Sequence, residues 1–141
     1  MTSLIVDASV AAKWLLTEAD SDKAASLFRA WTDRRITLLA PTILPAEVAN
    51  ALWKRAVRGL VPASDALRLH REFRDLDIPL HPIAELVDEA LDLALRFRHS
   101  VYDGLYLALG RQVGAVFVTA DEKLLRTAKP GSTCLLRDWR L

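Results

Sequence analysis

The chain has 141 residues, 52% of them hydrophobic, with 19 basic against 18 acidic side chains. That length fits a single domain, residues 1–141, with a substantial core, and the composition excludes a disordered chain. A net charge of +1 excludes a polycation that holds nucleic acid by bulk attraction, so any such contact must come from local patches.

No apolar run approaches the roughly 18 residues a membrane span needs, and MTSLIVDASV lacks the basic start of a signal peptide. The only cysteine, Cys134, cannot form an internal disulfide and reads as a core residue, which suits a reducing cytoplasm.

In chain order, SLIVD is a short continuous apolar run, as expected of a strand buried on both faces. ASVAAKWLL follows as a helix with Val10, Ala11, Trp14 and Leu15 on one side. SDKAASLFRAWTDRR makes a second helix with Ala24, Leu27, Phe28 and Trp31 inward. ITLLAP is the next strand. In PTILPAEVANALWKRAVRG, Pro45 suits a helix first turn and Gly59 its stop, with Val48, Ala51, Leu52 and Val57 mostly on the helical period. A helix over ASDALRLHREFRDL, a short strand in DIPLHPI and an amphipathic helix over ELVDEALDLALRFR come next. SVYDGLYLALGRQVG is a helix apolar on most sides, GAVFVT a strand, DEKLLRTAK a short helix, PGS a turn and TCLL a last strand. Strands separated by helical crossovers imply parallel pairing, hence a three-layer α/β/α sandwich with a central, mostly parallel sheet of about five strands.

Open parallel sheets bind ligands at the carboxyl ends of their strands. Asp7 closes the first strand, Asp121 follows AVFVT by two residues, and Glu47 lies in the first turn of the helix after ITLLA. Each also suits a helix cap or a first-turn acid favoured by the helix dipole. Asp103 stands three residues after Ser100, the spacing of a capping box. It starts a helix that follows another helix, so strand-end logic leaves it unplaced. Gathered carboxylates repel one another unless a cation sits among them. With no histidine near Asp7, Glu47 or Asp121 and no second cysteine, oxygen ligation of Mg²⁺, or Mn²⁺ in its place, is favoured over zinc or iron. Such a constellation points to metal-assisted phosphodiester hydrolysis.

The strings IVDASV, LPAEVANAL, HSVYDGLYLAL and VFVTADEKLL, in this order along nearly the whole chain, resemble the PIN-domain ribonucleases, specifically the VapC toxins of toxin–antitoxin pairs. The resemblance implies that Asp7, Glu47, Asp103 and Asp121 are an acidic quartet. Asp7 and Asp103 would be the direct Mg²⁺ or Mn²⁺ ligands, while Glu47 and Asp121 bind a second ion or act through water. It further implies supporting polar roles for Ser9, Asn50 and Thr119, and endonucleolytic cleavage of RNA by metal-activated water that leaves 5′-phosphate and 3′-hydroxyl ends. The partners implied are the RNA substrate, a VapB-like antitoxin seated in a groove of the early helices, and a second copy in a homodimer, all in the cytoplasm.

An acidic pocket that admits RNA needs basic flanks. The candidates are Lys13, Lys54, Arg55 and Arg58, with Arg96, Arg98 and His99 just before SVYD. Trp14, Trp31 and Trp53 fall on apolar helical faces as core residues, and part of Trp14 or Trp31 is a candidate lining for the antitoxin groove. On the helix of Asp103, Leu105 and Leu109 anchor the core and Gly104 leaves room at the pocket wall. The alternatives are a non-cleaving PIN-fold binding or interaction module, and a haloacid-dehalogenase-like phosphatase. The latter lacks its second acid, because Ser9 stands in that place. A receiver-like signalling domain would need paired acids after the first strand, which are missing.

Overall fold

The computed structural model describes residues 1–128 and 132–141. The strands are β1 (Thr2–Val6), β2 (Ile36–Pro41), β3 (Leu80–His81), β4 (Val116–Thr119) and β5 (Thr133–Leu135). They form one sheet in the order β3-β2-β1-β4-β5, and every pairing is parallel. The helices are α1 (Ala8–Leu15), α2 (Ser21–Thr32), α3 (Leu44–Val57), α4 (Ala63–Asp75), α5 (Val87–Phe97), α6 (Val101–Val113) and α7 (Glu122–Thr127). The three-layer arrangement and its five strands are as the sequence indicates. Of the turn expected at PGS, Pro130 and Gly131 lie outside the described residues.

Strand order explains the layers. The chain steps outward from β1 to β2 and β3, then returns across the sheet to β4 and β5. Right-handed crossovers in opposite directions place their helices on opposite faces. Accordingly α1 and α2 touch β4 and β2, while α6 crosses β1, β2 and β4 with α5 packed behind it. β1 lies at the reversal and is covered on both sides, which is why Leu4, Ile5 and Val6 are all buried. α6 is buried along Leu105, Tyr106, Leu107, Ala108 and Leu109 for the same reason. It ends at Gly114, whose left-handed φ of 69° turns the chain into β4. Among the described residues no helix is long and apolar enough to cross a membrane.

Two residues placed by helical period behave otherwise. Trp53 and Val57 are 59% and 65% exposed, so neither belongs to the core. The buried line of α3 is Leu44, Val48 and Leu52, at spacings of one turn, and Trp53 lies about 100° round the helix from Leu52. It borders an open apolar groove between α3 and α4, with Leu67 opposite. Trp14 and Trp31 are half-buried, as edge-on partners of Phe28 with centroids 5.5 and 5.7 Å away. The Trp14 indole N–H donates to the Ala24 carbonyl at 3.0 Å, tying α1 to α2.

Gly104 also serves a different purpose from the one expected. A Cβ there would meet the Ala90 carbonyl oxygen at 2.5 Å and the Ala90 Cα at 3.0 Å. The missing side chain therefore lets α6 close on the backbone of α5 and opens no space in a pocket wall. Cys134 is partly buried against the core, its thiol directed to the Leu135 carbonyl and raised in pKa mainly by burial.

Candidate functional site

β1 and β4 are neighbours whose connections leave on opposite faces, and a crevice opens beyond their carboxyl ends. Asp7 and Asp121 follow these two strands and both cap helices. One oxygen of Asp7 accepts from the Val10 N–H at 3.2 Å, and Asp121 Oδ1 accepts from the Leu124 N–H at 3.1 Å. Glu47 arrives on the first turn of α3.

Asp103 arrives because α6 leads straight into β4 and runs back along the sheet, so its first turn stands at the carboxyl edge. The Ser100 hydroxyl caps that turn by accepting from the Asp103 N–H at 3.0 Å. All four carboxylates line a single cleft of about 750 Å³.

Asp7 is the most enclosed, at 8% exposure. The Ser9 hydroxyl donates to its Oδ1 at 2.5 Å and the Thr119 hydroxyl to its Oδ2 at 2.6 Å. Ser9 in turn accepts from the Ala120 N–H at 2.9 Å, and Thr119 accepts from the Asp121 N–H at 3.1 Å. These two residues therefore lock the end of β1 to the end of β4. Asn50 lines the same cleft.

Burial pushes Asp7 up from 3.8 to about 6, against the pull of its three hydrogen bonds and with a smaller contribution from the Asp103 charge. Burial also raises Glu47 and Asp103. Repulsion contributes to both, from Asp103 on Glu47 and from Asp121 on Asp103. Asp7, Glu47 and Asp103 thus each sense the low dielectric and a neighbouring carboxylate, which is the condition a cation relieves.

Among the described residues, no three Asp, Glu, His or Cys side chains converge tightly enough to cage an ion by themselves. Oxygen donors of this kind suit a hard cation such as Mg²⁺, which takes one or two carboxylates and keeps several waters. The donor set is all oxygen, and Asp7, with both oxygens already aimed by hydroxyls, retains further lone pairs. The residues present therefore fit the hard ion.

The basic candidates separate into two groups. Lys54, Arg55 and Arg58 line the cleft on α3. Lys13 stands behind it, 3.2 Å from Glu18, and Glu18 also pairs with Arg55. Arg96 pairs with Asp92 and lies over the Phe97 ring, and Arg98 caps α5 in a left-handed conformation. Neither they nor His99 line the cleft.

Three polar lining residues are missed by reading along the chain: Glu18, Tyr102 and Tyr106. Tyr106 is buried and donates to Glu47 Oε1 at 2.6 Å. Its position one turn after Asp103 in YDGLY is the available clue, since both then share a helix face.

The sequence matches the PIN domain family over residues 4–130. It is 33% identical over 123 residues to Ribonuclease VapC3 of Pyrobaculum aerophilum, covering 86% of this chain and 91% of that protein. Among solved structures it resembles PAE2754 of the same organism, at 28% identity and a TM-score of 0.70, covering 96% of this chain and 85% of that one. It also resembles Mycobacterium tuberculosis VapC20, a sarcin-ricin loop cleaving toxin. That likeness is one of fold alone, at 17% identity and a TM-score of 0.65 over 86% of this chain and 92% of the other. Since a match of that extent reaches from β1 past α7 and takes in all four cleft acids, the chain belongs to the PIN-domain family, among its VapC-type members.

Proposed function

We propose that this protein is a Mg²⁺-dependent endoribonuclease, the toxin of a toxin–antitoxin pair, hydrolysing RNA phosphodiesters to leave 5′-phosphate and 3′-hydroxyl ends. Mn²⁺ substitutes for Mg²⁺. The observation that carries the reading is the convergence of Asp7, Glu47, Asp103 and Asp121 from four separate elements on one cleft. The names of the relatives support RNA as substrate and a VapB-like antitoxin as partner. A homodimer is part of the same reading.

Asp7 and Asp103 are the direct ligands, with Glu47 and Asp121 on a second ion or acting through water. A divalent cation held by these acids would offset their mutual repulsion and would supply Lewis-acid chemistry toward the phosphoryl group and water. Ser9 and Thr119 hold the Asp7 carboxylate in one orientation, so that no reorganisation is needed when substrate arrives. Lys54, Arg55 and Arg58 form the approach for the phosphate backbone. Tyr102, 63% exposed at the same cleft, offers a ring on which an unstacked base can lie, which suits single-stranded RNA.

The test is incubation with a mixed pool of structured RNAs in Mg²⁺ or in EDTA, comparing wild type with Asp7→Asn and Asp103→Asn and mapping the ends produced. Cleavage in Mg²⁺ alone, lost in both variants, is expected. Metal-dependent cutting that survived both substitutions would overturn the assignment. RNA bound in Mg²⁺ but left intact would mark a non-cleaving binding module instead.

A further inference from the structure

We infer that Glu18 is a positioning residue: its carboxylate gathers Lys13 and Arg55 into one ion network and holds the Arg55 guanidinium at the cleft wall for a phosphate of the RNA backbone. The inference rests on the reading of the cleft as an RNA site.

Glu18 lies in the short connection between α1 and α2, where its backbone is fixed. Its N–H donates to the Ser21 hydroxyl at 2.9 Å and its carbonyl accepts from the Ser21 N–H at 3.2 Å. That hydroxyl donates in turn to the Leu16 carbonyl at 3.2 Å. The Glu18 side chain accepts from Lys13 through Oε1 at 3.2 Å and from Arg55 through Oε2. One carboxylate from a loop thus joins a cation on α1 to a cation on α3.

The Lys13 side chain is 10% exposed, and Glu18 is its ion-pair partner. A nearly buried ammonium needs such a partner, so Lys13 also anchors the carboxylate that reaches Arg55. Two cations and one anion leave the network net positive, so the wall still attracts a polyanion. Of the cleft cations on α3, Lys54 and Arg58 have no ion pair among the described residues, whereas Arg55 is held. A guanidinium carries several donors in a rigid fork, and the pairing with Glu18 through one terminal nitrogen leaves others for phosphate. Arg55 stands about two turns, roughly 12 Å, beyond Glu47 along α3, so the phosphate it meets flanks the scissile one.

Charge alone argues the reverse. An acid in a cleft that receives a polyanion repels it, so removing the Glu18 charge should on that ground tighten binding. Positioning predicts weaker binding, because a freed Arg55 must be ordered anew when RNA arrives. The two accounts differ in sign.

The experiment is fluorescence anisotropy of a dye-labelled, single-stranded RNA pool of randomised sequence, titrated with the full chain in the Asp103→Asn background that prevents cutting. The parent, Glu18→Gln, Arg55→Ala and the double variant are compared, with circular dichroism to verify the fold. Glutamine keeps the outline but has one acceptor oxygen, and its amide N–H₂ faces a cation, so it cannot hold both partners. Affinity should fall about threefold to tenfold in Glu18→Gln, the scale of ordering one long side chain on binding. In the Arg55→Ala background the sign should reverse: with no guanidinium to hold, only the loss of an acid remains, and Glu18→Gln should tighten binding. Glu18→Asp is the second variant. It keeps the charge but is one methylene short of spanning both cations, so affinity should fall there as well.

Glu18→Gln or Glu18→Asp binding as tightly as the parent, or more tightly, overturns the role of Glu18, and so does an equal fall with and without Arg55. If Arg55→Ala weakens binding while Glu18→Gln tightens it, the RNA cleft stands and only this inference falls. A parent chain that leaves the RNA pool unbound overturns both.

Discussion

Asp7→Asn should make the metal-free protein more stable near neutral pH, although it removes the carboxylate at the centre of the site. Burial raises Asp7 from 3.8 to about 6, so between those values the folded chain holds a proton that the unfolded chain has released. Stability therefore falls as pH rises through that window. The loss is about 1.4 kcal/mol per pH unit, or roughly 3 kcal/mol at pH 7 and roughly 1.6 kcal/mol at pH 5. Asparagine has the same outline with no charge to desolvate, and it weakens the hydroxyl contacts of Ser9 and Thr119 by about 1 kcal/mol. The variant should lead wild type by about 2 kcal/mol at pH 7, with the lead narrowing by about 1.4 kcal/mol at pH 5. Urea unfolding in EDTA, followed by tryptophan fluorescence at both pH values, measures the gap. A gap independent of pH, or a variant less stable than wild type at pH 7, would refute the account of Asp7 as a buried charge that its hydrogen bonds only partly offset.

Gly104→Ala should destabilise the fold by about 1–3 kcal/mol, since the added methyl meets the α5 backbone. Helix propensity alone predicts a gain of about 1 kcal/mol, so the sign of the change in a urea titration decides between them. For RNA binding, measured in an Asp103→Asn background to prevent cutting, Arg55→Ala and Arg58→Ala should each weaken affinity. Each should also flatten the slope of log affinity against log salt by about 0.7, the value of one phosphate contact on a single strand. Arg96→Ala, outside the cleft, should leave both unchanged, and an equal effect from Arg96 would move the binding path elsewhere.

Elements are legible where period and punctuation agree. Ile36–Pro41 reads as a strand from its apolar run, and the fourth helix starts directly after Pro62. The edge strand β3 is only two residues long, yet its flanking prolines announce it. Asp103 is harder, because a rule that looks only downstream of each strand ignores the helix upstream of it. A helix leading into a parallel strand runs back along it, which brings its first turn to the same edge. Trp53 misleads because small neighbours at Ala49 and Ala56 widen the apolar stripe of α3 beyond the part that is covered. Gly104 misleads because glycine marks close approach without saying to what. Of the cleft itself, the acids stand out in the sequence as polar breaks in apolar runs. Tyr106 does not, since a tyrosine in an apolar helix looks like core, and here it is core with its oxygen at the site.

The parallel neighbours β1 and β4 also govern when the site comes into being. Asp7 lies near the start of the chain, and Thr119, whose hydroxyl orients it, lies 112 residues later. Contacts between such distant segments form late, because a long loop must close before they repay its entropy. Until β4 enters beside β1, Asp7 is an acid at the end of a strand with half its crevice missing. A copy still being made, or cut short before residue 116, therefore holds its first carboxylate without the structure that gives it a task.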